Sequence, residues 1–265
     1  MKKLKTGVIG AGVFGNYHAQ KAAASARTDF TGMFDLDIER ASRIAATYGA
    51  TVHASLDDLL DQSDAVVVAV PATYHEQVAR KALEHGCHVL VEKPLALNGE
   101  AARALAEKAH DEGLVLQVGH QERFVAKAMG IFGIEETPLI LESVRAAPPC
   151  AEGRAGDVSV IWDLMIHDLD LAACMISREF DGVKAKGEII HTSHIDQAEA
   201  EFHYKNGAVA RLMSSRASEE RIRTMRVVYP SGEINVDFLA RTLRNTTPHD
   251  VKIDIAAELP DPLGM

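Results

Sequence analysis

Leu4-Lys5-Thr6-Gly7-Val8-Ile9-Gly10-Ala11-Gly12-Val13-Phe14-Gly15 opens the chain and decides its fold. An apolar strand at 4–10 runs into a glycine-rich turn, and the alanine-rich stretch 13–24 continues it as a helix. Glycines at 10, 12 and 15 permit a tight turn. They also let backbone approach a pyrophosphate at a helix N-terminus, where the dipole and free N–H groups favour anions. The turn takes its meaning from context: strand before, helix after, and Asp35 about twenty residues on, at the end of the next strand. A carboxylate there accepts hydrogen bonds from an adenosine ribose and repels a 2′-phosphate. Asp37 and Glu39 add to that repulsion, so NAD is expected over NADP; Arg40 and Arg43 are the opposing residues.

Outward from this turn, strands and helices alternate. Strands are expected at 30–35, 65–70, 87–91 and 114–118, and helices at 38–48, 56–60, 74–85 and 100–111. Pro71 ends one strand and Gly86 is a plausible helix cap. Strands that are apolar on both faces and alternate with helices imply a parallel sheet covered on both sides.

One strand end stands out. The apolar run His88-Val89-Leu90-Val91 is followed by Glu92-Lys93-Pro94. A charged pair is costly to bury, so it is expected to project into a cleft. A lysine there, at the end of a nucleotide-binding half, is a candidate for touching substrate.

After about residue 120 the alternation stops. Residues 121–133 read as a helix, 139–147 as a strand, 146–149 with 153–156 as a loop, and 161–177 as a helix. Strands follow at 186–193, 197–204, 208–215, 224–229 and 233–238, with hairpin signals at Asn206-Gly207 and Ser231-Gly232. The expectation is two domains, 1–120 and 121–265. The first is a parallel α/β domain that binds a dinucleotide. The second is an α+β domain with an open, largely antiparallel sheet and a helix on one face. On the helix at 161–177, Asp163 and His167 are four apart and share a face, with Asp170 three further on. A carboxylate beside an imidazole fixes its orientation and raises its basicity. Spacing alone also permits a surface pair with no task.

Composition narrows the function classes. The net charge is −10 with no basic tract, which argues against a nucleic-acid role. No apolar run is long enough to span a membrane, and the basic start at residues 1–5 leads into a glycine turn rather than a signal-peptide core, so the cytoplasm is the expected location. Cys87, Cys150 and Cys174 are far apart and read as reduced thiols, with Cys87 and Cys174 expected in the core. His191 and His194 are three apart but have no clustered partner, so no metal site is expected.

These pieces, nearly end to end, resemble the glucose-fructose oxidoreductase/inositol dehydrogenase (Gfo/Idh/MocA) family. The matching residues are Gly10 to Gly15 followed by His18; Pro71 and His75 with the helix to Gly86; His88 to Pro94; Gly119-His120 with Arg123-Phe124; and Asp163 with His167. The resemblance implies a Rossmann domain, bound NAD(P), and homodimers or homotetramers formed through the sheet of the second domain. It implies cofactor contacts from Gly10, Gly12, Val13, Phe14, Gly15, Asp35, Pro71, His75, Glu92 and Lys93. It also implies hydride transfer between the nicotinamide and a hydroxyl-bearing carbon of a sugar or cyclitol. There His167 acts as base, Asp163 orients it and contacts substrate, and Lys93 donates to the reacting oxygen. The stretch 119–124 resembles the subgroup acting on nucleotide-linked amino sugars, of the UDP-N-acetylglucosamine 3-dehydrogenase kind. In that reading Arg123 binds substrate phosphate; the alternative is an ion pair with Glu122 or another acid. Inositol or a free sugar is the alternative substrate class, and a catalytically silent NAD(H)-binding protein the alternative of another kind. One departure concerns Asp261-Pro262-Leu263-Gly264-Met265. A similar stretch in relatives opens a helix that is followed by a segment packing back on the nucleotide domain. Its absence is expected to leave apolar surface that favours association.

Overall fold

A computed structural model describes residues 2–149, 156–177 and 179–254. The chain divides into two compact units, Met1–Gly119 and His120–Met265. Cys150, part of the loop expected at 153–156, and the stretch 261–265 lie outside the described residues.

The first unit alternates strand and helix: β1 (Leu4–Ile9), α1 (Val13–Ala24), β2 (Thr28–Phe34), α2 (Ile38–Tyr48), β3 (Thr51–Val52), α3 (Leu56–Asp61), β4 (Ala65–Val68), α4 (His75–Glu84), β5 (His88–Val91), α5 (Gly99–Asp111) and β6 (Leu116–Val118). The sheet order is β3-β2-β1-β4-β5-β6, parallel throughout. This is the doubly wound order whose crevice opens where the winding reverses, between β1 and β4. Alternation along the strands explains their unbroken apolar character. Val8 and Val67 point into one core with Ala41 and Ala45 of α2. Ile9, Val66 and Val68 point into the other, with Leu59, Leu83 and Leu105. Side-chain caps set three helix starts: Asp37 on α2, Ser55 on α3 and Asn98 on α5.

The second unit contains α6 (Glu122–Ala128), β7 (Ile140–Ala146), a π turn at Ile161–Met165 running into α7 (Ile166–Met175), and then β8 (Phe180–Glu188), β9 (Gln197–Tyr204), β10 (Val209–Ser215), β11 (Ile222–Tyr229), β12 (Gly232–Asp237) and β13 (Thr242–Asn245). Its sheet runs β13-β12-β11-β7-β10-β9-β8. Pairing is antiparallel except between β7 and β10. One face carries Leu141, Leu212, Met225 and Val227 into a core shared with Met129 of the α6 segment and Leu171 of α7. The other face carries a charged lattice: Glu142 pairs with both Arg211 and Arg226, which also bind Glu201 and Glu233.

Several expectations shift. The helix expected over 121–133 ends at Ala128, because Gly130 turns left-handed at φ 74° and a Cβ there would press on the Lys252 carbonyl oxygen at 2.6 Å. The strand expected at 186–193 is β8, which starts six residues earlier and ends at Glu188. The Asp196 carboxylate draws in the N–H groups of Ile190, His191 and Thr192, and a backbone so captured cannot continue a ladder. Cys87 is buried as expected, but Cys174 is exposed, since the buried stripe of α7 runs through Leu171 and Ala172. Among the described residues, no helix is long and apolar enough to cross a membrane, and no group of three or more His, Cys, Asp or Glu is placed to hold a metal ion.

Candidate active site

At the start of α1, two glycines are required by packing and one is not. Gly10 has φ 100°, and a Cβ there would sit 2.4 Å from the Ala69 carbonyl oxygen. At Gly15 a Cβ would sit 1.9 Å from the Gly10 carbonyl oxygen, so helix and turn touch backbone to backbone. At Gly12 a Cβ would meet nothing within 4 Å. Packing within the protein therefore does not require a glycine here. The same residue is the N-cap of α1 and offers no side-chain cap, so the first N–H groups of the helix keep their donor capacity. Open space over a glycine at an uncapped helix start has the form expected of an anion cradle.

Asp35 follows β2 directly and belongs to this cradle. One of its oxygens accepts the Ala11 N–H at 2.6 Å; the other accepts the Asp37 N–H at 2.8 Å and the Arg40 guanidinium at 2.9 Å. Burial opposes ionisation here, but these donors outweigh it and hold the carboxyl below the usual carboxylate range. A surface cavity of about 530 Å³ lies alongside, lined by Ala11, Gly12, Asn16, Arg40, Arg43 and Thr47. Val13 is exposed, Phe14 half-buried, and Pro71 exposed at the end of the segment after β4.

The turn after β5 holds Glu92, Lys93 and Pro94, and the Lys93–Pro94 peptide is cis. Lys93 is half-buried while both neighbours are buried. The Glu92 carboxylate lies 2.7 Å from His18 Nε2, a residue of α1. His75 opens α4, and its ring is 1% exposed. Nδ1 lies 2.6 Å from the Pro94 carbonyl oxygen and Nε2 2.9 Å from that of Val70. His75 thus reaches the site through backbone and not through an exposed ring.

In the second unit, Asp163 and His167 lie one turn apart on the segment leading into α7, and both are half-buried. The turn that carries Asp163 is π-wound: the Ile166 N–H reaches the Ile161 carbonyl, five residues back. Two carboxylates that follow His167 are committed elsewhere. Buried Asp168 grips Arg145 at two points, 3.0 and 3.1 Å, and Arg145 also holds Glu122 at 3.1 Å. Asp170 grips Arg123 at 2.7 and 2.5 Å, with His120 Nδ1 3.7 Å away. Together they dock α7 on β7 and α6 and fix the axial rotation of the helix that presents His167. Of the two partners foreseen for Arg123, the structure pairs it with another acid, Asp170; Glu122 goes to Arg145. The Arg123 side chain is still 46% exposed.

Both units resemble those of known proteins. Residues 4–120 match a family described as "Oxidoreductase family, NAD-binding Rossmann fold", and residues 148–235 match the GFO/IDH/MocA C-terminal domain. The UDP-N-acetylglucosamine 3-dehydrogenase of Acidithiobacillus ferrooxidans is 40% identical over 92% of this chain and 77% of its own length. Its solved structure superposes with a TM-score of 0.84, at 39% identity, over 92% of this chain and 80% of that one. The scyllo-inositol 2-dehydrogenase (NAD(+)) of Bacillus subtilis is 29% identical over 82% of this chain and 68% of its own. GenD2 from gentamicin A biosynthesis, solved in complex with NAD, is 27% identical with a TM-score of 0.79 over 89% of this chain and 73% of that one. With its parallel nucleotide sheet, its open second sheet and both family segments matched, the chain belongs to the Gfo/Idh/MocA family of oxidoreductases and carries that family's NAD-binding Rossmann domain.

Proposed function

We propose that this chain oxidises a hydroxyl-bearing carbon of a nucleotide-linked amino sugar, at C3 of a UDP-N-acetylglucosamine-type substrate. The observation that carries this reading is the 40% identity, over 92% of the chain, to an enzyme named for that reaction. Gly10 to Gly15 and the start of α1 hold the pyrophosphate, and Asp35 faces the adenosine ribose. With Arg40 drawn onto Asp35, the acid and not the guanidinium sets the preference, so NAD is favoured over NADP. Pro71 and Glu92 border the nicotinamide end. Bound NAD supplies the hydride acceptor.

The chain's own residues handle the proton and the charge. Loss of hydride from C–H requires the hydroxyl proton to leave. His167 takes that proton on its imidazole, Asp163 keeps the ring oriented and touches substrate, and the Lys93 Nζ donates a hydrogen bond to the reacting oxygen. Arg123, paired yet half-exposed, is offered to the substrate's phosphates. The protein works in the cytoplasm as a homo-oligomer built through the open face of the second sheet. Incubation with NAD and a panel of UDP-sugars, free sugars and cyclitols tests the reading through the absorbance of reduced cofactor. Turnover of UDP-N-acetylglucosamine is expected. Turnover of inositol alone moves the chain to the substrate class in the name of its Bacillus subtilis relative, turnover of free sugars alone makes it a free-sugar dehydrogenase, and no turnover with any of them would leave a silent NAD(H)-binding protein.

A further inference from the structure

Two histidines from two different helices close on the residues either side of Lys93. From α1, His18 places Nε2 2.7 Å from the carboxylate of Glu92, whose side chain is only 7% exposed. From α4, His75 meets the Pro94 carbonyl oxygen at 2.6 Å and the Val70 carbonyl oxygen at 2.9 Å. Whichever nitrogen of His75 carries the ring hydrogen, a carbonyl waits to accept it. Val70 lies just beyond β4 and Pro94 just beyond β5, so the ring is wedged between the exits of two neighbouring parallel strands and donates to one or the other. Gly119 completes the arrangement: a Cβ there would lie 3.0 to 3.1 Å from all three terminal atoms of Glu92. The space that lets Glu92 reach His18 exists because residue 119 has no side chain.

A lysine amine sits on four rotatable bonds, and its reach is aimed by the backbone beneath it. Misplacement by about 1 Å costs on the order of 100-fold in rate. At 1% exposure His75 has no ring surface to offer a ligand, and its two partners are both main-chain oxygens of strand exits. We infer that His18 and His75 are positioning residues for Lys93, acting through Glu92 and through the Pro94 backbone. The inference rests on the reading that Lys93 touches the reacting oxygen.

Steady-state kinetics with NAD and UDP-N-acetylglucosamine test it, using His75→Phe, His75→Gln, His18→Leu, His18→Gln and, as reference, Lys93→Met. H75F and H18L are expected to lower kcat about 10- to 100-fold, with the NAD dissociation constant from cofactor fluorescence within about threefold of wild type. Glutamine retains an N–H donor, so H75Q and H18Q are expected to recover part of the loss. If H75F does not fold, by circular dichroism, the H18L and H18Q pair carries the same test at a less buried position. Full kcat in folded H75F and H18L, alongside an inactive K93M, overturns the brace and leaves the role of Lys93 standing. Full activity in K93M overturns that role itself. A loss in H75F or H18L that tracks weakened NAD binding, with no recovery by glutamine, reduces the histidines to fold support and also overturns the inference.

Discussion

The Asp35 carboxylate accepts the backbone N–H of Ala11 at 2.6 Å, so the acid expected to read the ribose also holds the glycine turn expected to receive the pyrophosphate. Removing it disturbs both tasks. Asp35→Ala is expected to weaken NAD binding by about tenfold or more, the loss of one or two charge-assisted hydrogen bonds. Cofactor titration by fluorescence checks this. An unchanged dissociation constant would assign the ribose to another residue.

The same contacts set a pH dependence. Because the folded-state carboxyl of Asp35 is held below its ordinary value, its contribution to stability is complete above about pH 5, where the unfolded carboxyl is almost fully ionised. It is lost as pH falls through the lower, folded-state value. Urea unfolding of wild type and Asp35→Asn is therefore expected to show a gap that is constant from about pH 5 to 8 and closes at more acid pH. A gap that opens on acidification would contradict the assignment.

Gly12 and Gly15 predict opposite phenotypes. A methyl at Gly12 meets nothing in the protein, so Gly12→Ala is expected to keep the wild-type melting temperature and lose NAD affinity. A methyl at Gly15 would lie 1.9 Å from the Gly10 carbonyl oxygen, so Gly15→Ala is expected to fold poorly whether or not cofactor is present. Thermal melts with and without NAD separate the two cases, since ligand binding raises the apparent stability of a protein that still binds.

Arg145 is buried between two buried carboxylates, Glu122 and Asp168. Arg145→Met strands both charges and is expected to cost about 3–5 kcal/mol. Denaturant unfolding measures it. A loss well under 1 kcal/mol would mean that α7 is docked by its apolar face alone. Arg123 provides the contrast. Arg123→Ala is expected to raise KM for the nucleotide sugar about tenfold while KM for NAD stays level, the loss of one phosphate contact. Equal KM values for both would confine Arg123 to its pairing with Asp170.

Much of this architecture is legible in the amino-acid order because local signals coincide with tertiary ones. Val13–Ala24 and Ile38–Tyr48 are readable to the residue: Gly12 precedes one, and Asp37 and Gly49 bracket the other. The parallel sheet is legible because Val66, Val67 and Val68 must be buried on both faces. What resists reading depends on distant partners. β3 is two residues long and β13 four, and both exist because a neighbouring strand offers an edge. Ile189 and Ile190 look like strand residues until Asp196 takes the N–H of Ile190. At the candidate site, Asp163 and His167 are singled out by spacing together with the family resemblance, whereas the π winding beneath Asp163 has no sequence mark. Glu92 lies 74 residues from His18, and Pro94 lies 19 from His75, separations that no local pattern encodes.

The central claim is that hydride leaves C3 of a nucleotide-linked amino sugar for NAD. Its most direct test uses UDP-N-acetylglucosamine carrying deuterium at C3, incubated with the protein and NAD, followed by mass spectrometry of the reduced cofactor. Reduced cofactor that carries one deuterium, together with a 3-keto sugar nucleotide, is the predicted result. Reduced cofactor without deuterium would place the oxidised carbon elsewhere on the sugar. No reduced cofactor with this substrate, in a preparation that reduces NAD with inositol, would contradict the account.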